Sequence, residues 1–415
     1  MRKIRVLAVA AVVSVVLAAC ADEESRRIVV WTDIPEVAAY LELFNSSQQS
    51  YRAELQYREA PGEQLRRAED QPDIVITRHL SNRETAERMR SLERVLSPNR
   101  VDPEAFYTEL LERGSFDGTQ RFLPISFDLP TIMFHRDHEI DLSSFGISAS
   151  ELQQHGRAFN ERSGGRFTNM GFSPKWSNRF LYVFAQTHGA RFREQEDEMP
   201  AWETERLEDA LEALVSWDEE YNESAEEVAR FHDRYLYDPE DQLLLRNRIG
   251  FAYIDAGEFF AMRESQRELL EFRWYTDNSD GTSVPALDGP VSLGVPTTAA
   301  NRSGAEAFIE WFYRTETHEL LLQDLQRKRM QSFGILGGFS ALRRVNEELF
   351  PRYYPELLGR VPEERFLRFP ERQAVYWADL RSEVIEPWLG RRVSAEGAEE
   401  SLHERLRVWL LRRGD

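Results

Sequence analysis

Residues 121–137 read RFLPISFDLPTIMFHRD. Two strand-like runs, Arg121–Leu123 and Thr131–Phe134, flank Ile125–Leu129, and prolines stand at 124 and 130. Proline donates nothing to a sheet ladder, so one central strand does not hold both. A single edge strand with an irregular end is one reading. A strand that leaves one sheet, crosses a gap and enters another is the other, and the flanking sequence favours it. The expectation is a crossover over residues 123–130 between two lobes.

Upstream, Arg27–Thr32 (RIVVWT) is a run of β-branched residues suited to a buried strand. Pro35 then opens a helix with Val37, Ala38, Leu41 and Phe44 at helical spacing. Tyr51–Tyr57 alternates as a second strand, and Ile74–Ile76 after Pro72-Asp73 reads as a third. Arg83–Leu96 has an amphipathic helical pattern. Strands alternating with helices predict an α/β fold with parallel strands, whose ligands sit at the carboxyl ends. That points to Trp31–Asp33 and Thr77–Leu80.

Downstream, helices are expected over Phe180–Gly189, Pro200–Tyr221, Ala225–Tyr237 and Glu396–Arg413. Strands are expected at Arg248–Ile254, Arg273–Thr276 and Val291–Val295. No internal repeat or low-complexity tract interrupts them.

The N-terminus carries a separate signal. Arg2, Lys3 and Arg5 precede the apolar run Val6–Ala19, which has the length of a signal-peptide core rather than a membrane span. The run ends Leu17-Ala18-Ala19-Cys20, followed by Asp22-Glu23-Glu24. This resembles a bacterial lipobox. Residues 1–19 are expected to be removed, Cys20 to take the lipid, and residues 20–26 to tether the rest. A plain signal peptide or a single-pass anchor is the rival. Cys20 is the only cysteine, so no intrachain disulfide forms.

The 415 residues carry a formal net charge of −20, which argues against a nucleic-acid partner because phosphate binding needs a basic face. Length suggests about two domains, and 41% hydrophobic residues suffice for real cores.

The order of motifs resembles the extracellular solute-binding proteins of ABC importers, in the group that includes maltose-binding protein. The matching pieces are IVVWT and its helix, QPDIVI, FLPISFDLPTIMFHRD, KWSNRFLYVFAQTHGARF, RIGFAYIDAGEFF, the stretch from GPVSLGVP through RTETHELLLQ, and the closing VSAEGAEESLHERL. The specificity lies in their order. RIGFAYI lacks the Gly-Pro-Trp ending frequent in that family, and the segment before QPDIVI is short. The resemblance implies a two-lobe α/β periplasmic-binding-protein fold with a ligand cleft. It divides the chain into lobe one, residues 27–122 plus 276–325, and lobe two, residues 131–275 plus 326–415. It implies a lipid-anchored, exported, monomeric protein that passes a small solute, foremost a sugar, to an ABC permease, with no cofactor and no catalysis.

Sugar sites use aromatic faces and planar polar groups. The candidate ligand residues are Trp31, Asp33, Phe127, Asp128, Trp176, Asp255, Trp274 and Tyr275, with Phe333, Phe339, Trp377 and Arg78 as lesser ones. Each has a plainer alternative: core packing for the aromatics, a helix cap for Asp33, a surface role for Arg78. There is no Gly-x-Ser-x-Gly elbow, no His-Glu-x-x-His helix and no phosphate-cradling glycine loop. His135 and His138 have no third ligand in the sequence pattern and read as a solvated loop. A secreted glycosidase lipoprotein and a ligand-sensing lipoprotein are the competing functions, the first because chance pairs of carboxylates are inevitable among 72 acids.

Replacing Cys20 by alanine is expected to abolish lipid attachment while leaving the globular part folded. Metabolic labelling with a fatty acid checks this: a labelled Cys20→Ala protein would mean that the lipobox reading is wrong.

Overall fold

The computed structural model describes residues 26–66, 70–138, 145–195, 199–277, 282–394 and 400–414. The lipobox and Cys20 lie outside the described residues. Among the described residues, ten strands build the two largest sheets. In chain order they are β1 (Arg27–Thr32), β2 (Arg52–Tyr57), β3 (Ile74–Arg78), β4 (Phe122–Phe127), β5 (Pro130–His135), β6 (Gly146–Ser148), β7 (Phe251–Asp255), β8 (Leu270–Thr276), β9 (Val291–Gly294) and β10 (Phe339–Ser340).

The first sheet has the order β10-β4-β9-β3-β1-β2. Its β1 pairs in parallel with β2 and β3, as the alternation of strands and helices predicts. β9 returns antiparallel between β3 and β4. The second sheet has the order β7-β5-β8-β6. β1 and β7 therefore belong to different sheets, and the chain passes between them at Asp128-Leu129.

The crossing is shorter than 123–130. The strand Phe122–Phe127 lies in the first sheet to its last residue, Phe127 pairing with Phe339, and Pro130 already pairs with Asp255 in the second. Pro124 is thus inside a strand, contrary to the expectation that sheet strands exclude it. It is tolerated because it faces Ser292 beside an irregularity in the β9 register. Pro130 takes the first position of its strand, the other place where a missing N–H is harmless.

Three further expectations change. The helix expected over 83–96 stops at Ala86, although Asn82 caps its start by accepting from the Thr85 amide at 3.0 Å. Amides beyond it turn to distant segments instead: Arg90 donates to the Val295 carbonyl and Leu92 to that of Gln120. Tertiary pairing overrides the helical pattern. The tail from residue 326 does not lie wholly with the second lobe, since Phe339 and Ser340 pair with Phe127 and Ser126 in the first sheet. Trp274 and Tyr275 are not at a second crossing but within β8, and the chain returns to the first sheet only at Val291.

Packing follows the two sheets. One large core surrounds the first sheet and one face of the second, with Ile28, Val30, Ile76, Leu123 and Leu293 essentially unexposed. A second core buries Ile132, Phe180, Phe184 and Trp217 under the other face of the second sheet. The C-terminal helices join this second core through Leu380, Leu389, Leu402 and Leu406.

Four chain segments meet at the crossing. The Asp128 carbonyl accepts from the Leu287 amide at 2.8 Å, and the Leu129 carbonyl accepts from the Ala256 amide at 2.9 Å. The Asp128 carboxylate accepts from the amides of Leu129 at 2.8 Å and Gly257 at 2.9 Å. Gly257 leaves no space for a side chain: a Cβ there would stand 2.3 Å from the Gly337 carbonyl oxygen and 2.8 Å from Asp128 Oδ2. Gly257→Ala is therefore expected to destabilise the fold by about 1–3 kcal/mol, the usual cost of overpacking. Thermal denaturation checks it, and an unchanged melting temperature would mean that the crossing is loose.

Candidate cleft between the two lobes

A cavity of about 1050 Å³ opens at the carboxyl ends of β1, β2 and β3. Asp33, Tyr57, Glu59, Thr77, Arg78 and His79 line it from the first sheet, and Tyr376, Asp379, Leu410 and Arg413 line it from the C-terminal helices. Parallel strands place their carboxyl ends at one edge of a sheet, which is why residues 33, 57 and 77 converge despite their separation in sequence.

Asp33 does not cap the following helix. Its carboxylate accepts from the Thr77 hydroxyl at 2.8 and 2.9 Å. Burial pushes its carboxyl above the ordinary value, with Thr77 and Arg78 opposing. Arg78 is exposed and donates to the Gly289 carbonyl at 3.3 Å. An acceptor-only carboxylate and a five-donor guanidinium therefore stand side by side on the cavity wall. Tyr57, 58% exposed, supplies a free aromatic face at the end of β2. Tyr376 lies across from it, its ring 5.7 Å from that of Trp409.

Beside the cavity, Asp288 is a buried hub. It accepts from Tyr182 Oη at 3.1 Å, from Trp377 Nε1 at 2.6 Å and from Arg381 Nη1. Burial alone would raise its pKa, but Arg381, His79, Trp377 and Tyr182 together hold it below the usual carboxylate value. His79 is pushed down to about 4 by burial. It sits under Gly289, where a Cβ would come within 2.4 Å of the imidazole.

On the second sheet, Asp255 accepts from Tyr253 Oη at 2.8 Å and pairs with Arg179 at 2.6 Å. Arg179 also binds Glu258 through both guanidinium ends at 2.9–3.0 Å. Burial pushes the Glu240 carboxyl up to about 7, with Glu258 and Asp241 adding and Arg179 opposing.

Of the eight candidate ligand residues, the structure puts Asp33 on the cavity wall and Asp128 and Asp255 at the crossing, Asp255 pairing with Pro130. Arg78, a lesser candidate, is also on the wall. The aromatic candidates are corrected. Trp31 is 1% exposed, packs on Leu65, Val75 and Leu80, and donates Nε1 to Gln56 at 2.9 Å. Phe127 is walled in by Tyr107, Phe339 and Phe369. Trp274 and Tyr275 are wholly buried, Trp274 donating Nε1 to the Arg360 carbonyl at 2.7 Å. Trp176 stacks on Phe231 with centroids 6.0 Å apart and does not line this cavity. Phe333 and Phe339 are core residues, and Trp377 spends its indole N–H on Asp288.

The sequence reading missed Tyr57, Tyr376 and Arg413. Tyr57 was accessible to the rule already applied to β1 and β3, since it ends the strand between them in sequence. Nothing local marks Tyr376 or Arg413. Among the described residues no group of three or more His, Cys, Asp or Glu side chains fits a metal ion. His138 Nε2 lies 3.2 Å from Asn247 Oδ1.

The crossing has a titration signature. Burial pushes the Asp128 carboxyl up to about 7, with the nearby Asp255 charge adding and the Leu129 and Gly257 amides and Arg78 opposing. A raised carboxyl pKa means that the folded form holds its proton while the unfolded chain loses it. Stability is thus lost as pH rises from the ordinary carboxylate range through about 7. Asp128→Asn keeps the acceptor for both amides and removes the charge. It is expected to raise the melting temperature at pH 8 and leave it unchanged near pH 3; equal shifts at both would contradict the assignment.

No family model matches the sequence, and no curated protein matches it. Solved structures do match. CpMnBP1 with mannotriose bound is 14% identical, with 92% of this chain and 98% of that chain covered and a TM-score of 0.60. The ABC substrate-binding protein Lmo0181 from Listeria monocytogenes, in complex with cycloalternan, is 11% identical over 94% and 99%, at 0.64. The sugar-binding protein MalE from Xanthomonas citri is 13% identical over 93% and 96%, at 0.64. The chain has the two-lobe α/β fold of the maltose- and sugar-binding ABC substrate-binding proteins.

Proposed function

We propose that this chain is an exported, lipid-anchored solute-binding protein of an ABC importer. It captures a carbohydrate between its lobes and hands it to the membrane permease without making or breaking a bond. Lobe one comprises residues 27–127 with 291–325 and the short strand at 339–340; lobe two comprises 130–276 and the C-terminal helices. Cys20 carries the lipid and the protein acts as a monomer.

The observation that carries the reading is the cavity at the ends of three parallel strands, faced by residues of the other lobe. Its size suits a small solute. Its chemistry suits a hydroxyl-rich one: Asp33 accepts, Arg78 donates, and Tyr57 and Tyr376 offer ring faces for stacking. The structural neighbours hold mannotriose and cycloalternan. No helix among the described residues is long and apolar enough to cross a membrane.

A thermal-shift screen across mannotriose, maltotriose, cycloalternan, polyols and polyamines tests this. A ligand at 100 times its Kd stabilises the folded form by about 2.7 kcal/mol, and at least one saccharide is expected to do so. With that saccharide, Asp33→Asn and Arg78→Ala are each expected to weaken binding roughly ten- to hundredfold in calorimetric titration, with little change in melting temperature. Stabilisation by polyamines alone would overturn the carbohydrate assignment, and cleavage of the bound saccharide would make the chain a glycosidase.

A further inference from the structure

The last helix, Leu402–Gly414, belongs to the second core at one end and reaches the first lobe at the other. Leu402 and Leu406 are 4% and 1% exposed within the second core, and Trp409 Nε1 donates to Glu383 at 2.7 Å. One turn further on, Arg413 links this body to the first lobe. Its Nη2 bonds Glu63, in the short helix that follows β2, and also Asp379 at 2.9 Å, in the helix Trp377–Leu380. One guanidinium is thus shared by carboxylates from opposite sides of the cavity. It lies over the Trp409 ring at 4.9 Å and the Tyr376 ring at 5.9 Å, which fixes its plane.

A second contact closes the same rim. Gly62, next to Glu63, is buried against the segment that leads into Tyr376, and a Cβ on it would meet Val375 Cγ2 at 2.8 Å. The neighbouring charges do not compete for Glu63: Arg66, on the same strap, is held by Glu84 at 2.7 Å. Glu63 and Arg413 are both mostly shielded, their side chains 20% and 29% exposed. A charge-assisted bond in that setting is stronger than one on open surface.

We propose that Arg413 is a latch. It ties the C-terminal helix, a wall of the solute cavity, to the Glu63 strap of the first lobe, and a solute enters or leaves only when this bond opens. The latch gives meaning to the cavity as a solute site, so its purpose rests on the binding function proposed above. The bond itself exists without any solute and can be tested without one.

The test is hydrogen–deuterium exchange on the ligand-free full chain, comparing wild type with Arg413→Ala and with Glu63→Ala. If the two segments are latched, each variant loosens the segment opposite. Arg413→Ala raises amide exchange over residues 60–66 by about tenfold, and Glu63→Ala does the same over residues 402–414. Effects confined to the mutated segment in both variants would overturn the latch and leave two unrelated local ion pairs. A saccharide that binds wild type and both variants with equal dissociation rates would also overturn it, while the carbohydrate function would stand. Opposite-segment loosening in a protein that binds no saccharide would keep the latch and remove the function.

Discussion

Only Asp128 and Leu129 separate a strand of one sheet from a strand of the other. Two residues span less than about 10 Å even when extended, so the edges of the two sheets are held close whatever else the chain does. That short tie would be a weak point if its polar groups were unmet. Instead the Asp128 carbonyl takes the Leu287 amide, the Leu129 carbonyl takes the Ala256 amide, and the Asp128 carboxylate takes those of Leu129 and Gly257. The segments carrying Leu287 and Ala256-Gly257 are both bonded to it. The rest of the architecture follows, because the carboxyl ends of β1, β2 and β3 are then directed at the second body and a gap opens between them.

Charge is concentrated where the two bodies face each other. Asp288 draws Tyr182, Trp377 and Arg381 together next to His79. Asp255 and Glu258 hold Arg179 on the second sheet. A buried ionic group such as Asp288 adds little net stability but fixes which partners meet. The aromatic residues do the opposite work: Trp31, Trp274 and Tyr275 are sealed in cores that make each body rigid.

Much of the fold was legible in the sequence because it depends on periodicity and on proline position. The run 121–137 was read as a crossing, and β1, β3, β5, β7 and β9 fell close to the expected residues. The helix over 83–96 was misread because Arg90 and Leu92 give their amides to distant segments, which no local pattern announces. Among the candidate ligand residues, those placed by strand direction, Asp33 and Arg78, lie on the cavity wall. Trp31, Phe127, Trp274 and Tyr275 lie in strands covered on both sides, so their rings pack into the cores rather than the gap, whereas Trp176 ends a short 3-10 turn and packs on Phe231. Tyr376 and Arg413 reach the cavity from the C-terminal part of the chain, far in sequence from the strands they face, which only the tertiary structure reveals.

The central claim is that one solute sits between Asp33 and Arg78 on one side and Tyr376 and Asp379 on the other. A crystal structure of the chain grown with the saccharide that most raises its melting temperature tests this most directly. The sugar is expected in the gap, with a hydroxyl on the Asp33 carboxylate and a ring face against Tyr57 or Tyr376. Sugar density found only on the outer surface of either lobe, with the gap filled by water alone, would contradict it.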